Sequence, residues 1–324
     1  MLLLDKYLKN KDNLKKKILV VGDVMLDKYW FGDVNRISPE APVPIAKINV
    51  KENRAGGAAN VARNIASIKG DVSLLSIVGD DEAAKELEQL LNQDGIKHFL
   101  KIDKSIDTIV KLRVIARNQQ LIRLDFETSP QYEILLDILD YYTQVVDNFD
   151  IILLSDYGKG GLTHIKTMIE IANKLNKIIL VDPKGNDYER YRGATLLTPN
   201  KSELRDAVGF WNNEKEMMDK AIQLRNSLDL KYLLITRSEE GMSLILDKNI
   251  VNYPTVAKEV YDVSGAGDTV IATLATMLAC DFEVNDAVTI ANIAAGIVVG
   301  KLGTATINDL ELLEGIKDFA IISK

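Results

Sequence analysis

The sequence predicts an α/β fold: a mostly parallel central sheet flanked by helices, with a small β-sheet lid. Three observations lead there. Short, continuously apolar runs of the kind that form strands buried on both faces recur along the chain. Stretches of helical period separate them, the alternation that builds a parallel sheet covered by helices. Two regions break the alternation with extended, β-rich patterns that cannot easily join that sheet.

The first strand is read at Ile18-Leu19-Val20-Val21-Gly22-Asp23, an apolar run that stops at Gly and Asp and so delivers a polar end. Similar runs stand at 72–78, 151–154, 178–181 and 232–236. Helices are read at 58–68, 81–91, 131–146, 162–175 and 214–228, with later ones over 270–279 and 284–299. The two exceptions are 29–50, where Pro39, Pro42 and Pro44 rule out a helix, and 108–126. They are assigned to a lid of about 28–54 and 107–126, over an active site or at a dimer surface; decorative hairpins are the bland alternative. A chain of 324 residues could hold two domains, and here 1–324 is expected to form one.

Composition narrows the class of function. With 47% hydrophobic and 27% charged residues, the chain is expected to be soluble and globular. A net charge of -7 argues against a general nucleic-acid binder, and the lysines over 9–17 read as a solvated extension. The single cysteine, Cys280, excludes an intrachain disulfide and a cysteine-rich metal site, and reads as a buried structural thiol. The opening residues lack the apolar core of a signal peptide, and no apolar run reaches membrane-spanning length. A cytoplasmic location without membrane contact is the expectation.

The strongest local signal is Asp262-Val263-Ser264-Gly265-Ala266-Gly267-Asp268-Thr269, which leads into a helix. Glycines at a helix start let backbone N–H groups point at an anion, and the helix dipole adds to the attraction. A carboxylate inside such a cradle repels phosphate, so Asp268 suits a base that takes a hydroxyl proton during phosphoryl transfer. An ordinary helix-start aspartate is the alternative. Arg54-Ala55-Gly56-Gly57-Ala58-Ala59-Asn60 is a second glycine pair entering an Ala-rich helix, with Asn60 offering both a donor and an acceptor to sugar hydroxyls. Neither a P-loop nor a complete dinucleotide fingerprint is present.

Gly56-Gly57-x-x-Asn60, Asn200-x-x-Glu203 and Gly265-Ala266-Gly267-Asp268, in that order, resemble the ribokinase-like (PfkB) carbohydrate kinases over about 17–307. Three longer runs are similar to the bacterial heptose 7-phosphate kinases: 22–30 (Gly-Asp-Val-Met-Leu-Asp-Lys-Tyr-Trp), 36–44 (Arg-Ile-Ser-Pro-Glu-Ala-Pro-Val-Pro) and 117–125. The resemblance implies a ribokinase-like fold and ATP-dependent phosphorylation of D-glycero-β-D-manno-heptose 7-phosphate at O1. The product would be the 1,7-bisphosphate of ADP-heptose and lipopolysaccharide biosynthesis. Two alternatives stay open: a kinase for another sugar or sugar phosphate, and a catalytically silent sugar-binding protein of the same fold. Many relatives carry a nucleotidyltransferase domain with a His-x-Gly-His motif. Only His98 and His164 occur here, so that activity is expected from a separate polypeptide.

The resemblance also implies roles. Asp268 is the base, with Gly265, Ala266 and Gly267 as its cradle. Asp27, expected at the end of the first strand, joins Gly56, Gly57 and Asn60 on the sugar, and Asp156 makes a further contact. Arg113, Arg123 and Lys159 are the candidates for the 7-phosphate, ahead of Arg36 and Lys111. Asn200 and Glu203 organise Mg2+ and the ATP phosphates, Glu203 through water. The same spacing fits a helix capping box equally well. Thr236, Ser238 and Gly241 line the ATP site, Asn292 lies near the adenine, and Lys184 stands on the phosphate path. Asp262 and Ser264 are a candidate site for a monovalent cation such as K+. A homodimer through the lid completes the expectations.

Overall fold

The computed structural model describes residues 3–11, 16–117, 119–257 and 259–322. Residues 12–15 of the lysine-rich opening and Asn118 of the run at 117–125 lie outside the described residues. Helix α1 (Leu3–Asn10) and strand β1 (Lys17–Gly22) open the chain, and the lid hairpin β2 (Val24–Ile37) and β3 (Pro44–Gly57) follows. Then come α2 (Ala58–Ser67), β4 (Asp71–Val78), α3 (Glu82–Gln93), β5 (Lys97–Ile102) and a second lid hairpin, β6 (Val110–Ala116) and β7 (Gln119–Phe126). Helix α4 (Tyr132–Val145), β8 (Ile151–Ser155), α5 (Ile165–Lys174), β9 (Ile178–Asp182), β10 (Leu196–Leu197), α6 (Lys201–Val208), α7 (Glu214–Ser227) and β11 (Tyr232–Thr236) continue the alternation. An antiparallel pair, β12 (Met242–Ile245) and β13 (Ile250–Tyr253), precedes α8 (Ala266–Ala279), α9 (Val284–Val298) and α10 (Asp309–Ile322).

Among the described residues the main sheet has nine strands, ordered β13-β12-β11-β10-β9-β8-β1-β4-β5, and the lid has four, ordered β3-β2-β6-β7. Strand β1 sits between β4 and β8, parallel to both. Burial on both faces explains its unbroken apolar run: Ile18 and Val20 pack towards the α2, α8 and α9 side, Leu19 and Val21 towards the α4, α5 and α7 side. Because the strands run parallel, the C-terminal ends of β1, β8, β9 and β11 open on one edge. Open α/β sheets bind ligands at such an edge.

Two expectations move. Asp27 does not end the first strand. The chain breaks only at Asp23 and then re-extends as β2, so Asp27 is a lid residue. The helix expected from 270 begins at Ala266, because Gly265 takes a left-handed conformation (φ 77°) and starts the helix there. That places Asp268 in its first turn. Cys280 caps the far end of α8 and is buried, as expected.

Candidate active site

Asp268 is 4% exposed, and two side chains from distant parts of the chain donate to it. Asn60 Nδ2 reaches Oδ2 at 2.6 Å and the Tyr157 hydroxyl reaches Oδ1 at 2.5 Å. Burial pushes its carboxyl up to about 6; those two hydrogen bonds oppose the rise, Asp27 adds to it and Lys111 draws it down. Asn60 is fixed in turn by the fully buried start of α2: Asn64 Nδ2 donates to its backbone carbonyl at 2.9 Å, and Thr269 Oγ1 donates to Asn64 Oδ1 at 3.1 Å. Gly265 is required where it stands, since a Cβ would lie 2.9 Å from Asn60 Nδ2. Among the described residues no side chain caps α8, and a Cβ on Gly267 would meet nothing within 4 Å, so the helix start has room for a ligand.

The lid supplies the facing wall, and its register says which residues share that wall. Asp27 lies opposite Arg54 on β3 and Lys111 on β6; Tyr29 lies opposite Arg113; Lys111 and Arg113 lie opposite Asp125 and Arg123 on β7. Side chains alternate along strands, so these residues form one charged face. Arg113 donates to Asp27 Oδ1 at 2.6 Å, a pair 14% and 3% exposed. Gly56 makes room for it: a Cβ there would lie 2.4 Å from Asp27 Oδ2. Burial pulls the Lys111 ammonium down, against Asp27 and Asp125, which raise it.

The basic candidates therefore sort differently than on sequence. Lys111, ranked behind Arg123, acts electrostatically on Asp268, whereas Arg123 is half exposed and turned onto Asp125 at 2.8 Å. Lys159 pairs with Glu127 at 2.5 Å. Arg36 does not belong to this group: it lies nine residues beyond Asp27, paired with Ile45 at the far end of the lid. Arg54 was missed. Its guanidinium lies 4.8 Å from the Tyr29 ring centroid and donates to the Leu302 carbonyl at 2.6 Å. A cation two residues before Gly56 was the available signal.

At the strand ends, Asp156 has its oxygens engaged internally, accepting from Gly158 N at 2.8 Å and from the Tyr191 hydroxyl at 2.8 Å. Asp182, which drew no attention on sequence, accepts from Thr198 Oγ1 at 3.1 Å. Burial, then Asp268 and Glu203, push its carboxyl well up. Asn200 and Glu203 do form a capping box: Asn200 Oδ1 accepts from Glu203 N at 2.9 Å, and Glu203 Oε2 accepts from Asn200 N at 3.0 Å. Glu203 Oε1 also holds Lys184 at 2.9 Å. Thr236 bridges to Asn200, and beyond it Ser238 and Gly241 turn with φ 53° and 88°.

Asn292 is 6% exposed and donates to the Pro254 carbonyl at 2.8 Å. The 254–256 segment forms one wall of a cleft of about 690 Å³ whose other walls include Ile293, Ile297 and Phe319. Asp262 accepts from Ser264 N at 2.8 Å and Gly303 N at 2.9 Å, tying the approach to Gly265 onto the following loop. Among the described residues no three His, Cys, Asp or Glu side chains gather to hold a metal directly. Asp182 and Glu203, near enough to act on each other electrostatically, are the carboxylates that would hold a Mg2+ ion through its waters.

The site is thus a buried carboxylate in the first turn of α8, held by Asn60 and Tyr157 and faced by the charged lid. The chain belongs to the pfkB family of carbohydrate kinases, whose model matches residues 15–310. It is 53% identical over 304 residues to the bifunctional protein HldE of Histophilus somni, covering 93% of this chain and 64% of that protein. It thus spans just under two thirds of such relatives. It is 50% identical over 298 residues to the D-beta-D-heptose 7-phosphate kinase of Bordetella bronchiseptica, covering 92% of this chain and 95% of that one. The fold is that of Escherichia coli phosphofructokinase-2 (TM-score 0.79, 17% identity, 96% of this chain and 100% of that one). It is likewise that of Arabidopsis thaliana ribokinase (TM-score 0.75, 17% identity, 93% and 99%). Among the described residues no helix is long and apolar enough to cross a membrane.

Proposed function

We propose that the chain transfers the γ-phosphoryl group of ATP to O1 of D-glycero-β-D-manno-heptose 7-phosphate, giving the 1,7-bisphosphate for ADP-heptose and lipopolysaccharide synthesis. The observation that carries this reading is Asp268, buried and raised towards neutrality at the open start of α8. The half-identity to a heptose 7-phosphate kinase over nearly its full length points to the sugar. Asp268 takes the O1 proton as the bond from O1 to the γ-phosphorus forms and the bond to the β-phosphate oxygen breaks. An anomeric hydroxyl is more acidic than an ordinary alcohol, so a carboxylate of this basicity suffices.

Asp27, with Gly56 and Gly57 beside it, receives the sugar hydroxyls, and Arg113, Lys111 and Lys159 provide positive charge for the 7-phosphate. The amides of Gly265 to Gly267 receive the transferring phosphoryl group, and the half-buried lid excludes water. Asn200, Glu203, Lys184, Thr236, Ser238 and Gly241 surround the remaining phosphates, and the apolar cleft beside Asn292 takes the adenine. Mg2+, held through water near Glu203, would neutralise phosphate charge. A second copy of the chain covers the outer face of the lid, where Ile122, Leu124 and Phe126 are 49%, 40% and 51% exposed.

The test is ADP release with MgATP against the heptose 7-phosphate, fructose 6-phosphate, fructose 1-phosphate and ribose, with Asp268→Asn as the blank. A strong preference for the heptose is expected. Turnover of another sugar alone would retain the kinase and discard the heptose, and silence on all four would favour a binding protein. Replacing potassium by tetramethylammonium in the same assay tests a cation at Asp262 and Ser264, which an unchanged rate would remove.

A further inference from the structure

Tyr157 and Asp23 take no part in the reaction as proposed, yet they join the site to the main sheet. Asp23, 5% exposed, is the residue at which the chain turns from β1 into the lid. Its Oδ2 accepts from the backbone N–H of Tyr157 at 3.1 Å and of Lys159 at 3.0 Å, and its Oδ1 accepts from Gly161 N at 2.9 Å. The segment it holds, Tyr157-Gly158-Lys159-Gly160-Gly161, would otherwise be loose, with Gly158 and Gly160 at φ 68° and 100°. From that clamped loop the Tyr157 side chain reaches to Asp268 Oδ1 at 2.5 Å. One strand-end carboxylate thus sets the loop, and the loop sets a hydroxyl against the carboxylate that is to act as base.

We propose that Tyr157 is a positioning residue for phosphoryl transfer, fixing the orientation of the Asp268 carboxylate through its phenolic hydrogen bond, and that Asp23 aims it by clamping the 157–161 loop. The inference rests on the reading of Asp268 as the base. The hydroxyl stays protonated, because burial first, then Asp268 and Asp182, push the phenol well above its usual value. It therefore always donates, which favours the ionised carboxylate and holds one of its two oxygens in place. The groups facing Asp268 are Asn60 from α2, Tyr157 from the loop, Asp27 and Lys111 from the lid, and Asp182 from the end of β9. Of these, Asn60 and Tyr157 are the donors in direct contact, and Tyr157 is the one carried on a loop rather than a helix.

Tyr157→Phe, assayed with MgATP and the heptose 7-phosphate, should lower kcat by about ten- to a hundredfold with little change in the sugar KM, as expected when a base is misoriented. The acid limb of kcat/KM should move up by roughly half a pH unit or more, since the donor that favours the ionised base is gone. Asp23→Asn should shift the limb the same way while leaving the phenol in place. Fluorinated tyrosines at position 157, progressively stronger donors, should move the limb downward in graded steps. This series also serves if the Phe variant fails to fold. An unmoved acid limb across the Phe variant and the fluorotyrosine series, while Asp268→Asn is inactive, would overturn the positioning role alone. Activity retained in Asp268→Asn would overturn it together with the base.

Discussion

At the scale of single residues, the site turns on a carboxylate that the fold keeps uncomfortable. Asp268 is raised to about 6 from an ordinary 3.8, burial being the main cause. The sign follows from linkage: between those values the folded state binds more protons than the unfolded chain, so this group stabilises the fold in acid and ceases to as pH rises through about 6. Its contribution lost by neutrality is on the order of 2–3 kcal/mol as an upper bound. Asp268→Asn should therefore gain stability relative to the wild type between pH 4 and 7, read as a changing difference in Tm across that window. The same variant should lose at least about a thousandfold in kcat while still binding MgATP, as removal of a base at a retained binding site predicts. Gly56 offers a complementary test on the sugar side. In Gly56→Ala the new Cβ would sit 2.4 Å from Asp27 Oδ2, so Asp27 must move, and the sugar KM should rise about tenfold or more with the MgATP KM nearly unchanged.

At the scale of elements, what the chain discloses in sequence depends on whether the signal is local. The buried strands β1, β8, β9 and β11 are legible because burial on both faces demands apolar runs, and β4 because only Ser73 and Ser76 interrupt its run over 72–78. Strand β5 was not: Lys97-His98-Phe99-Leu100-Lys101-Ile102 lies at the sheet edge, mixes charge with apolar residues and resembles a loop. Strand β10, two residues long, has no period to detect. The same distinction governs the site. The glycine cradle and the Asn200-x-x-Glu203 spacing are local, whereas Lys111 opposite Asp27, the Tyr157 hydrogen bond and the Arg113–Asp27 pair arise from cross-strand register and packing between distant segments. Asn200 shows why a local motif can leave two roles unresolved, since its side chain does cap α6. Asn200→Asp separates them. Aspartate caps as well as asparagine, so stability should change by less than about 0.5 kcal/mol. A new negative charge beside the nucleotide phosphates should nonetheless raise the MgATP KM severalfold. An unchanged KM would leave Asn200 a cap and nothing more.

At the scale of the whole molecule, the lid is a two-faced sheet, and each face explains something different. Its inner face carries Asp27, Lys111 and Arg113 and is half buried against the main sheet, which makes it fit for a charged sugar. The outer face follows from the same alternation: Val114 and Leu112 on β6 stand opposite Ile122 and Leu124 on β7, and Phe126 continues the row. Strand β7 is exposed along its whole length and forms the lid's edge, opposite β3, so it offers both unpaired backbone groups and an apolar surface. An open edge with that character is an invitation to pair, and soluble proteins usually blunt or cover it. A second copy of the same lid would cover it symmetrically, burying both apolar rows at once. Light scattering on the eluting peak should then give twice the chain mass. Leu124→Asp, which places a charge in the centre of the row without touching Asp27, Lys111 or Arg113, should give a single chain mass. The sugar KM of that monomer should rise, because the lid would lose the contact that holds its inner face against the site. A Leu124→Asp protein that remained double, or a wild type that ran as a single chain at micromolar concentration, would show that the row is covered in some other way.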